Sequence, residues 1–256
     1  REMGAITNCQ VVAKDGSYIK GQRFVGGITG YSYNNAVITG CIVKNLAISG
    51  AHGVAGIAGL ALNGNKITNC TVETVTVEAE NNVAYIVGEL QGEGGDVTIA
   101  DNNAPQPWVG GSWGSGESLV ATIGTQYFTT IAKAIEAAKA DDVISLIADV
   151  TASDIITINK AITLDGNGKK LTSTAGRAIN VSGTDGVTIK NLTIVASGER
   201  AINVIQNATN VTIDNVTATA ANYTVNVASS APNAVIAIKN STLNGLCTVN
   251  VSAVGA

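Results

Sequence analysis

Val187-Thr188-Ile189-Lys190-Asn191 is the stretch that decides the fold, because its pattern returns twice further along the chain. It recurs as Val211-Thr212-Ile213-Asp214-Asn215 and as Ile236-Ala237-Ile238-Lys239-Asn240, at spacings of 24 and 25 residues. A second pattern runs in phase with the first and consists of Ile179-Asn180-Val181, Ile202-Asn203-Val204, Val225-Asn226-Val227 and Val249-Asn250-Val251. Each repeat thus contains short segments of alternating apolar and polar residues, which indicate β-strands. The pattern predicts an all-β fold, a right-handed parallel β-helix (β-solenoid) with one coil per repeat.

In such a coil, each residue stacks on its copies in the neighbouring repeats. We expect Val187 and Ile189 to point inward, with Thr188 and Lys190 facing solvent. An asparagine ends each strand at a corner, where it tolerates left-handed backbone geometry and its amide can bond along the stack. These residues are Asn191, Asn215 and Asn240. The outward position before the corner alternates in charge, as Asp165, Lys190, Asp214 and Lys239, which favours weak attraction between coils.

The N-terminal part carries a related repeat with longer coils. Its copies are Ile6-Thr7-Asn8-Cys9, Ile38-Thr39-Gly40-Cys41 and Ile67-Thr68-Asn69-Cys70, spaced by 29 to 32 residues. The cysteines Cys9, Cys41 and Cys70 occupy the inward position that Leu192 fills in the other repeat, so we expect them to behave as small buried hydrophobic residues. Stacked coils also bring neighbouring cysteines within range of a disulfide, and this alternative stays open.

The chain divides into three segments. Residues 1–98 are predicted to form the first solenoid, and residues 99–118, rich in Gly and Pro, a linker or boundary loop. Residues 119–256 are predicted to form the second solenoid, with a capping helix near residues 130–140 that has Thr129 or Thr130 as N-cap.

Both ends of the chain carry an expectation. The last residues resemble an unfinished coil, which predicts either further coils or self-association through the open C-terminal coil. At the other end, the sequence starts inside a repeat without a signal peptide, so we expect a mature fragment that lacks any export signal.

Composition excludes several classes of function. The net charge is −4, with 15 Lys and Arg against 19 Asp and Glu, so the sequence offers no basic patch for nucleic acid. No apolar run approaches the length of a membrane-spanning helix. The single histidine, His52, has no Cys or carboxylate at ligand spacing around it, so we expect neither a metal site nor a cofactor.

Two stretches resemble known families. Gly27-Ile28-Thr29-Gly30 and Gly56-Ile57-Ala58-Gly59 resemble the GLUG repeats of bacterial surface proteins and adhesins, although the third copy has Tyr85 in place of the first Gly. The stretch from Tyr127 to Gly168 resembles the capping helix and first coil of pectin-lyase-like parallel β-helices. The resemblance implies an extracellular or cell-surface module with glycans or host surface proteins as partners. Because enzymes share this fold, fold alone does not decide between binding and catalysis.

No catalytic residues are predicted. Enzymes with this fold would be expected to carry clustered acids on one outer sheet, as Ca²⁺ ligands or as a carboxylate pair. The acidic residues from position 161 onward are instead scattered over different corners: Asp165, Asp185, Glu199 and Asp214. The alternative, a carbohydrate-active enzyme such as a polysaccharide lyase or a glycoside hydrolase, rests on the fold resemblance alone.

Two groups are candidate ligand-binding residues. Arg177 and Arg200 are predicted to stack one coil apart, beside an outward column that contains Asn180, Asn203 and Asn226 and could bind sugar hydroxyls or carboxylates. The alternative is that the arginines are solvated and the asparagines only hold the coils together. Trp108 and Trp113, in the predicted linker, either stack on sugar rings or cover the open end of the first solenoid.

Overall fold

The computed structural model describes residues 4–62, 64–91, 97–113 and 119–252. The chain forms two compact units: unit 1 contains Arg1–Leu119 and Thr125–Thr129, and unit 2 contains Val120–Gly124 and Thr130–Ala256. Most of the described residues lie in strands, which stack as parallel coils of a β-solenoid with about 9 turns. The predicted all-β parallel solenoid with one short helix is therefore confirmed.

The elements are numbered in chain order. The first thirteen strands are β1 (Ala5–Thr7), β2 (Gln10–Val12), β3 (Tyr18–Lys20), β4 (Arg23–Gly26), β5 (Thr29–Ser32), β6 (Val37–Thr39), β7 (Ile42–Ala55), β8 (Ala58–Ala61), β9 (Lys66–Thr68), β10 (Thr71–Ala84), β11 (Val87–Gln91), β12 (Thr98–Ala100) and β13 (Val109–Trp113). The remaining elements are β14 (Ala121–Ile123), β15 (Gln126–Phe128), α1 (Ile131–Ala137), β16 (Val143–Leu146), β17 (Val150–Ala152), β18 (Ile156–Ile158), β19 (Thr163–Asp165), β20 (Lys170–Ser173), β21 (Arg177–Ser182), β22 (Thr188–Ala196), β23 (Arg200–Ile205), β24 (Val211–Thr219), β25 (Tyr223–Val227), β26 (Ile236–Lys239), β27 (Thr242–Asn244) and β28 (Cys247–Val251).

Unit 1 contains three parallel sheets that each coil visits in the same order. The first sheet is β1-β6-β9-β12, the second joins β2, β3, β4 and β10 to β7, and the third is β5-β8-β11-β13. Ile38 pairs in register with Ile6 and with Ile67, as the repeat predicts. Because these β-branched residues stack inside the coil, Ile38 and Ile67 are almost fully buried.

Of the segment predicted as a linker, residues 99–113 form part of a further coil of unit 1 instead, and residues 114–118 lie outside the described residues. Strand β12 pairs with β9, and β13 pairs with β11, both in parallel. Between them, Asn102 accepts a hydrogen bond from the Cys70 amide through Oδ1, and the Asn103 amide donates to the Cys70 carbonyl. The Pro and Gly content of this stretch suggested a loop, whereas the strand pattern Val97-Thr98-Ile99 preserves the coil.

The glycine that ends each GLUG-like motif is required by close backbone packing. A Cβ atom on Gly59 would overlap the backbone of Phe24 in the preceding coil, and one on Gly88 would overlap the backbone of Gly53 in the same way. Strands β8 and β11 therefore approach the ends of β4 and β7 more closely than a side chain allows. We call this close approach of neighbouring strands the narrow arch, and it explains why Gly recurs at the end of each motif.

Unit 2 is also built from three stacks of parallel strands. One contains β16, β19, β22, β24 and β26, and the next contains β17, β20, β27 and the C-terminal halves of β22 and β24. The third is β18-β21-β23-β25-β28. Ile189 pairs with Leu164 and Ile213, and all three are fully buried. The inward and stacked positions predicted from the repeat are confirmed.

The capping helix is shorter than predicted and lies at the first coil of unit 2. Helix α1 begins after Thr130, whose hydroxyl accepts a hydrogen bond from the Lys133 amide at 3.1 Å. Its buried face contains Ile131, Ala134 and Ile135, and it contacts β14, β16 and β18. The helix ends at Ala137 rather than near residue 140, and the ammonium group of Lys160 donates to the Glu136 and Ala138 carbonyls.

Candidate functional site

Two arginines from neighbouring coils stack at the start of strands β21 and β23. Arg177 pairs in register with Arg200, as predicted, and Arg200 pairs in register with Tyr223 in the next coil. All three side chains are half-buried. We call Arg177, Arg200 and Tyr223 the arginine column.

The arginine column carries more positive charge than its neighbours balance. The guanidinium carbon of Arg200 lies 5.8 Å from the centre of the Tyr223 ring, and Nη2 of Arg200 lies 4.0 Å from Oε2 of Glu199. The Nε atoms of both Arg177 and Arg200 are buried and have no hydrogen-bond partner among the described residues. Within the part of the chain that the structure describes, one carboxylate at the limit of ion-pair distance thus faces two stacked cations, which leaves their terminal guanidinium nitrogens as donors for an anion.

The third member of the column, Tyr223, is not predicted as a site residue from the sequence. Aligning Ile202-Asn203-Val204 with Val225-Asn226-Val227 places Tyr223 directly beside Arg200, so the repeat itself carried the signal. Charge alone does not reveal it, because Tyr replaces Arg at this position of the column. Its ring provides the face on which a guanidinium rests favourably, by about 0.5–1 kcal/mol at an exposed site.

The neighbouring asparagines form a buried ladder, so the prediction that they face solvent is wrong. Asn203 Nδ2 donates to Asn180 Oδ1 at 3.0 Å, and Asn226 Nδ2 donates to Asn203 Oδ1 at 2.8 Å. Only 1% of Asn203 and 2% of Asn226 is exposed. Because each amide satisfies the next, this polar stripe can be buried, and the alternative role in holding the coils together is confirmed. These asparagines are not available to a ligand.

The two tryptophans lie in the last coil of unit 1. Trp108 is half-buried, and its indole Nε1 donates to the Ala104 carbonyl at 3.1 Å, which ties the ring to the preceding turn. The Trp108 carbonyl accepts from the amides of Ile86 and Val87. Trp113 lies in β13 opposite Gln91, but its side chain falls outside the described part of the structure. Trp108 therefore belongs to the last coil of unit 1 and does not lie in a linker loop.

The acidic residue at the corner of β19 is engaged in holding coils together. Asp165 Oδ1 accepts from the Asn167 amide and from Asn191 Nδ2, and Oδ2 lies 3.3 Å from the Lys190 ammonium group. Partial burial opposes ionisation, but these hydrogen bonds and Lys190 outweigh it and lower the pKa of Asp165. Asn215 Nδ2 donates to Asn191 Oδ1 at 2.9 Å, so the predicted bond along the corner stack is confirmed for this pair, whereas Asn240 donates to Asp214 instead. All three asparagines have the predicted left-handed backbone.

The N-terminal cysteines line one column but differ in exposure. Cys41 and Cys70 are fully buried, as predicted, whereas Cys9 is exposed because it lies in the first coil that the structure describes. Burial raises the pKa of the Cys41 thiol, and raises that of Cys70 to about 11. All four cysteines of the chain are free thiols in this structure.

Among the described residues, no group of three or more His, Cys, Asp or Glu side chains could hold a metal ion.

Comparison with known proteins returns no relative. The chain matches no protein-family profile, no curated protein sequence and no solved structure. The geometry defines the class as a parallel β-solenoid protein. In the described ranges, no helix is both long enough and apolar enough to cross a membrane.

Proposed function

We propose that this chain is a non-catalytic bacterial surface module, of the adhesin or stalk kind, that binds an anionic glycan through Arg177 and Arg200. The observation that carries the proposal is the in-register stacking of these two half-buried cations, against which the described residues place one carboxylate, that of Glu199, at 4.0 Å from Arg200. The resemblance of the N-terminal repeats to those of bacterial surface proteins supports an extracellular or cell-surface location. An acidic region of a host surface protein is the other partner predicted from the sequence.

The preference for an anion follows from the energies of the arginine column. Two like charges separated by the spacing of neighbouring strands, about 4.8 Å, repel by about 1 kcal/mol in water and by about 3 kcal/mol at the effective dielectric near a protein surface. A partly exposed ion pair such as Arg200–Glu199 offsets at most about 1 kcal/mol of this, and the Tyr223 ring a similar amount. A carboxylate or sulfate placed against both guanidinium groups would turn the repulsion into two charge-assisted contacts.

A role in binding rather than catalysis is supported by the state of the acidic residues. Asp165 and Asp214 share one column, but Lys190 lies between them in register. Asp165 is already hydrogen-bonded to Asn191, and Asp214 accepts from Asn240 Nδ2 at 2.8 Å. A general acid needs a raised pKa, whereas that of Asp165 is lowered.

The test is affinity electrophoresis through gels that contain polygalacturonate, alginate or chondroitin sulfate. We expect at least one of these acidic polysaccharides to retard the wild-type chain, and the double variant Arg177→Gln/Arg200→Gln to migrate freely. Retardation should fall as salt rises, because the contact is electrostatic and partly exposed. The matched control is Lys139→Gln/Lys170→Gln, which removes the same charge from exposed sites of unit 2 outside the column.

Two results would contradict the proposal. The first is that none of the three polysaccharides retards the wild-type chain, or that the arginine and lysine variants lose retardation equally. The second is release of unsaturated or reducing sugars from the same polysaccharides, abolished by Arg177→Gln/Arg200→Gln. That second result would identify the chain as a carbohydrate-active enzyme.

A further inference from the structure

Three aromatic side chains form an exposed group on unit 1 that the repeat pattern does not reveal. The Phe24 and Tyr31 ring centroids are 6.2 Å apart, and those of Tyr31 and Tyr33 are 5.4 Å apart. Tyr31 is 44% exposed and Tyr33 is 53% exposed, so both rings present area to solvent. We call Phe24, Tyr31 and Tyr33 the aromatic shelf. The whole chain has only 10 Phe, Tyr and Trp residues, and three of them lie here.

The backbone at Phe24 indicates that the shelf serves more than folding. Phe24 has φ of 54°, a left-handed conformation that costs a bulky residue about 1–3 kcal/mol. The following coils have Gly53 and Asn82 at the same position, with φ of 63° and 56°, and both residue types adopt this conformation readily. The first coil thus keeps a strained aromatic residue where its neighbours have unstrained ones.

The residues that stack on Tyr31 in the following coils also differ from it, because they are buried and Tyr31 is exposed. Tyr31 pairs in register with Leu60, which pairs with Glu89 in the next coil. Leu60 and Glu89 are buried, and Glu89 accepts a hydrogen bond from Asn82 Nδ2 at 2.9 Å. The positions of Phe24 and Tyr31 are thus filled by Gly53 and a buried Leu60 in the second coil, and by hydrogen-bonded Asn82 and Glu89 in the third. In the first coil they carry two rings, of which Phe24 is half-buried and Tyr31 is exposed.

We propose that the aromatic shelf binds a neutral polysaccharide, with sugar rings resting on Tyr31 and Tyr33. Exposed, tilted aromatic faces match the apolar faces of sugar rings, and tyrosine hydroxyls supply hydrogen bonds at the rim. Beside the shelf, the exposed Asn34 and Asn35 offer amides to further hydroxyls. Arg23 rests over the Phe24 ring, with its guanidinium carbon 5.8 Å from the centroid, so this cation is engaged in supporting the shelf.

The test is affinity electrophoresis in gels that contain a soluble galactomannan, xyloglucan or arabinoxylan. We expect at least one to retard the wild-type chain, and Tyr31→Ala/Tyr33→Ala to weaken this binding about tenfold or more, as loss of a central aromatic contact does. Tyr31→Phe/Tyr33→Phe keeps the rings and should keep most of the binding. The matched control is Tyr18→Ala, which removes a ring that is 74% exposed on the same unit but outside the shelf.

The result can be separated from that of the arginine column. Binding to the shelf should be insensitive to salt and unchanged in Arg177→Gln/Arg200→Gln, because no ionic contact contributes. The inference is overturned if none of the three neutral polysaccharides retards the wild-type chain, or if Tyr31→Ala/Tyr33→Ala binds as well as Tyr18→Ala. A circular dichroism spectrum identical to that of the wild type shows that the double variant has folded.

Discussion

Asn203 donates a hydrogen bond through Nδ2 to Oδ1 of Asn180 at 3.0 Å, and the two residues occupy the same position in adjacent coils. The amide of Asn226 repeats this contact one coil further on, at 2.8 Å. The ladder fixes the register of strands β21, β23 and β25, because a shift by one residue would place these amides among apolar side chains. It is the polar counterpart of the stacked Ile179 and Ile202 beside it.

Replacing the central member of the ladder should destabilise unit 2. Asn203→Ala leaves an acceptor on Asn180 and a donor on Asn226 without partners in a buried site, at about 1–3 kcal/mol for each group. Thermal unfolding followed by circular dichroism measures the loss. Asn250→Ala is the control, because Asn250 is only half-buried and ends the described ladder. A loss for Asn203→Ala no larger than that for Asn250→Ala would show that burial adds nothing to the contribution of these amides.

A methyl group at the narrow arch of unit 1 should also destabilise the protein. Gly59→Ala places a Cβ against the backbone of Phe24, which cannot move as a flexible side chain would. We expect a loss of about 1–3 kcal/mol in urea unfolding, as for other overpacked sites. Gly176→Ala serves as the control, since a Cβ there meets nothing within 4 Å and the backbone is not left-handed. Unchanged stability of Gly59→Ala would mean that the two strands can separate freely.

The cysteines should differ sharply in reactivity. Burial raises the pKa of Cys70 to about 11, so at pH 8 its thiol is almost entirely protonated as well as shielded. Maleimide labelling of the native chain, mapped by mass spectrometry, should modify the exposed Cys9 first and leave Cys41 and Cys70 until the chain unfolds. Equal labelling rates would contradict this burial. Failure of Cys41 and Cys70 to react even after unfolding would reveal a disulfide between them.

The repetitive part of the fold could be predicted from sequence because each coil repeats the same physical problem. Stacked Ile189 and Ile213 and left-handed Asn191 follow from patterns that recur along the chain. The Thr130 cap follows from the local pattern of helix α1 alone. Strand β13 is not predicted from the sequence, because the residues in and around it are rich in Gly and Pro and therefore favour a loop. The coil that contains β12 and β13 has fewer strand residues than the coils before it, so its apolar–polar alternation is weaker.

The candidate sites were harder to predict than the fold because they depend on what surrounds each side chain. Alternation alone placed Asn203 on an outer face, whereas its exposure depends on hydrogen bonds to the coils on either side. The aromatic shelf joins β4 to β5 across an arch, and Phe24 and Tyr31 belong to different sheets. Comparing repeats reveals columns within one sheet, but it does not reveal contacts between sheets.

The most direct test of the arginine column is isothermal titration calorimetry with an oligosaccharide of the acidic polysaccharide that retards the wild-type chain most. Three chains are compared: the wild type, Arg200→Lys and Arg200→Gln. The lysine variant keeps the charge but loses the planar fork that contacts a carboxylate through two donors. We expect the dissociation constant to rise about tenfold for Arg200→Lys and further for Arg200→Gln. Identical dissociation constants for all three chains would contradict binding through this column.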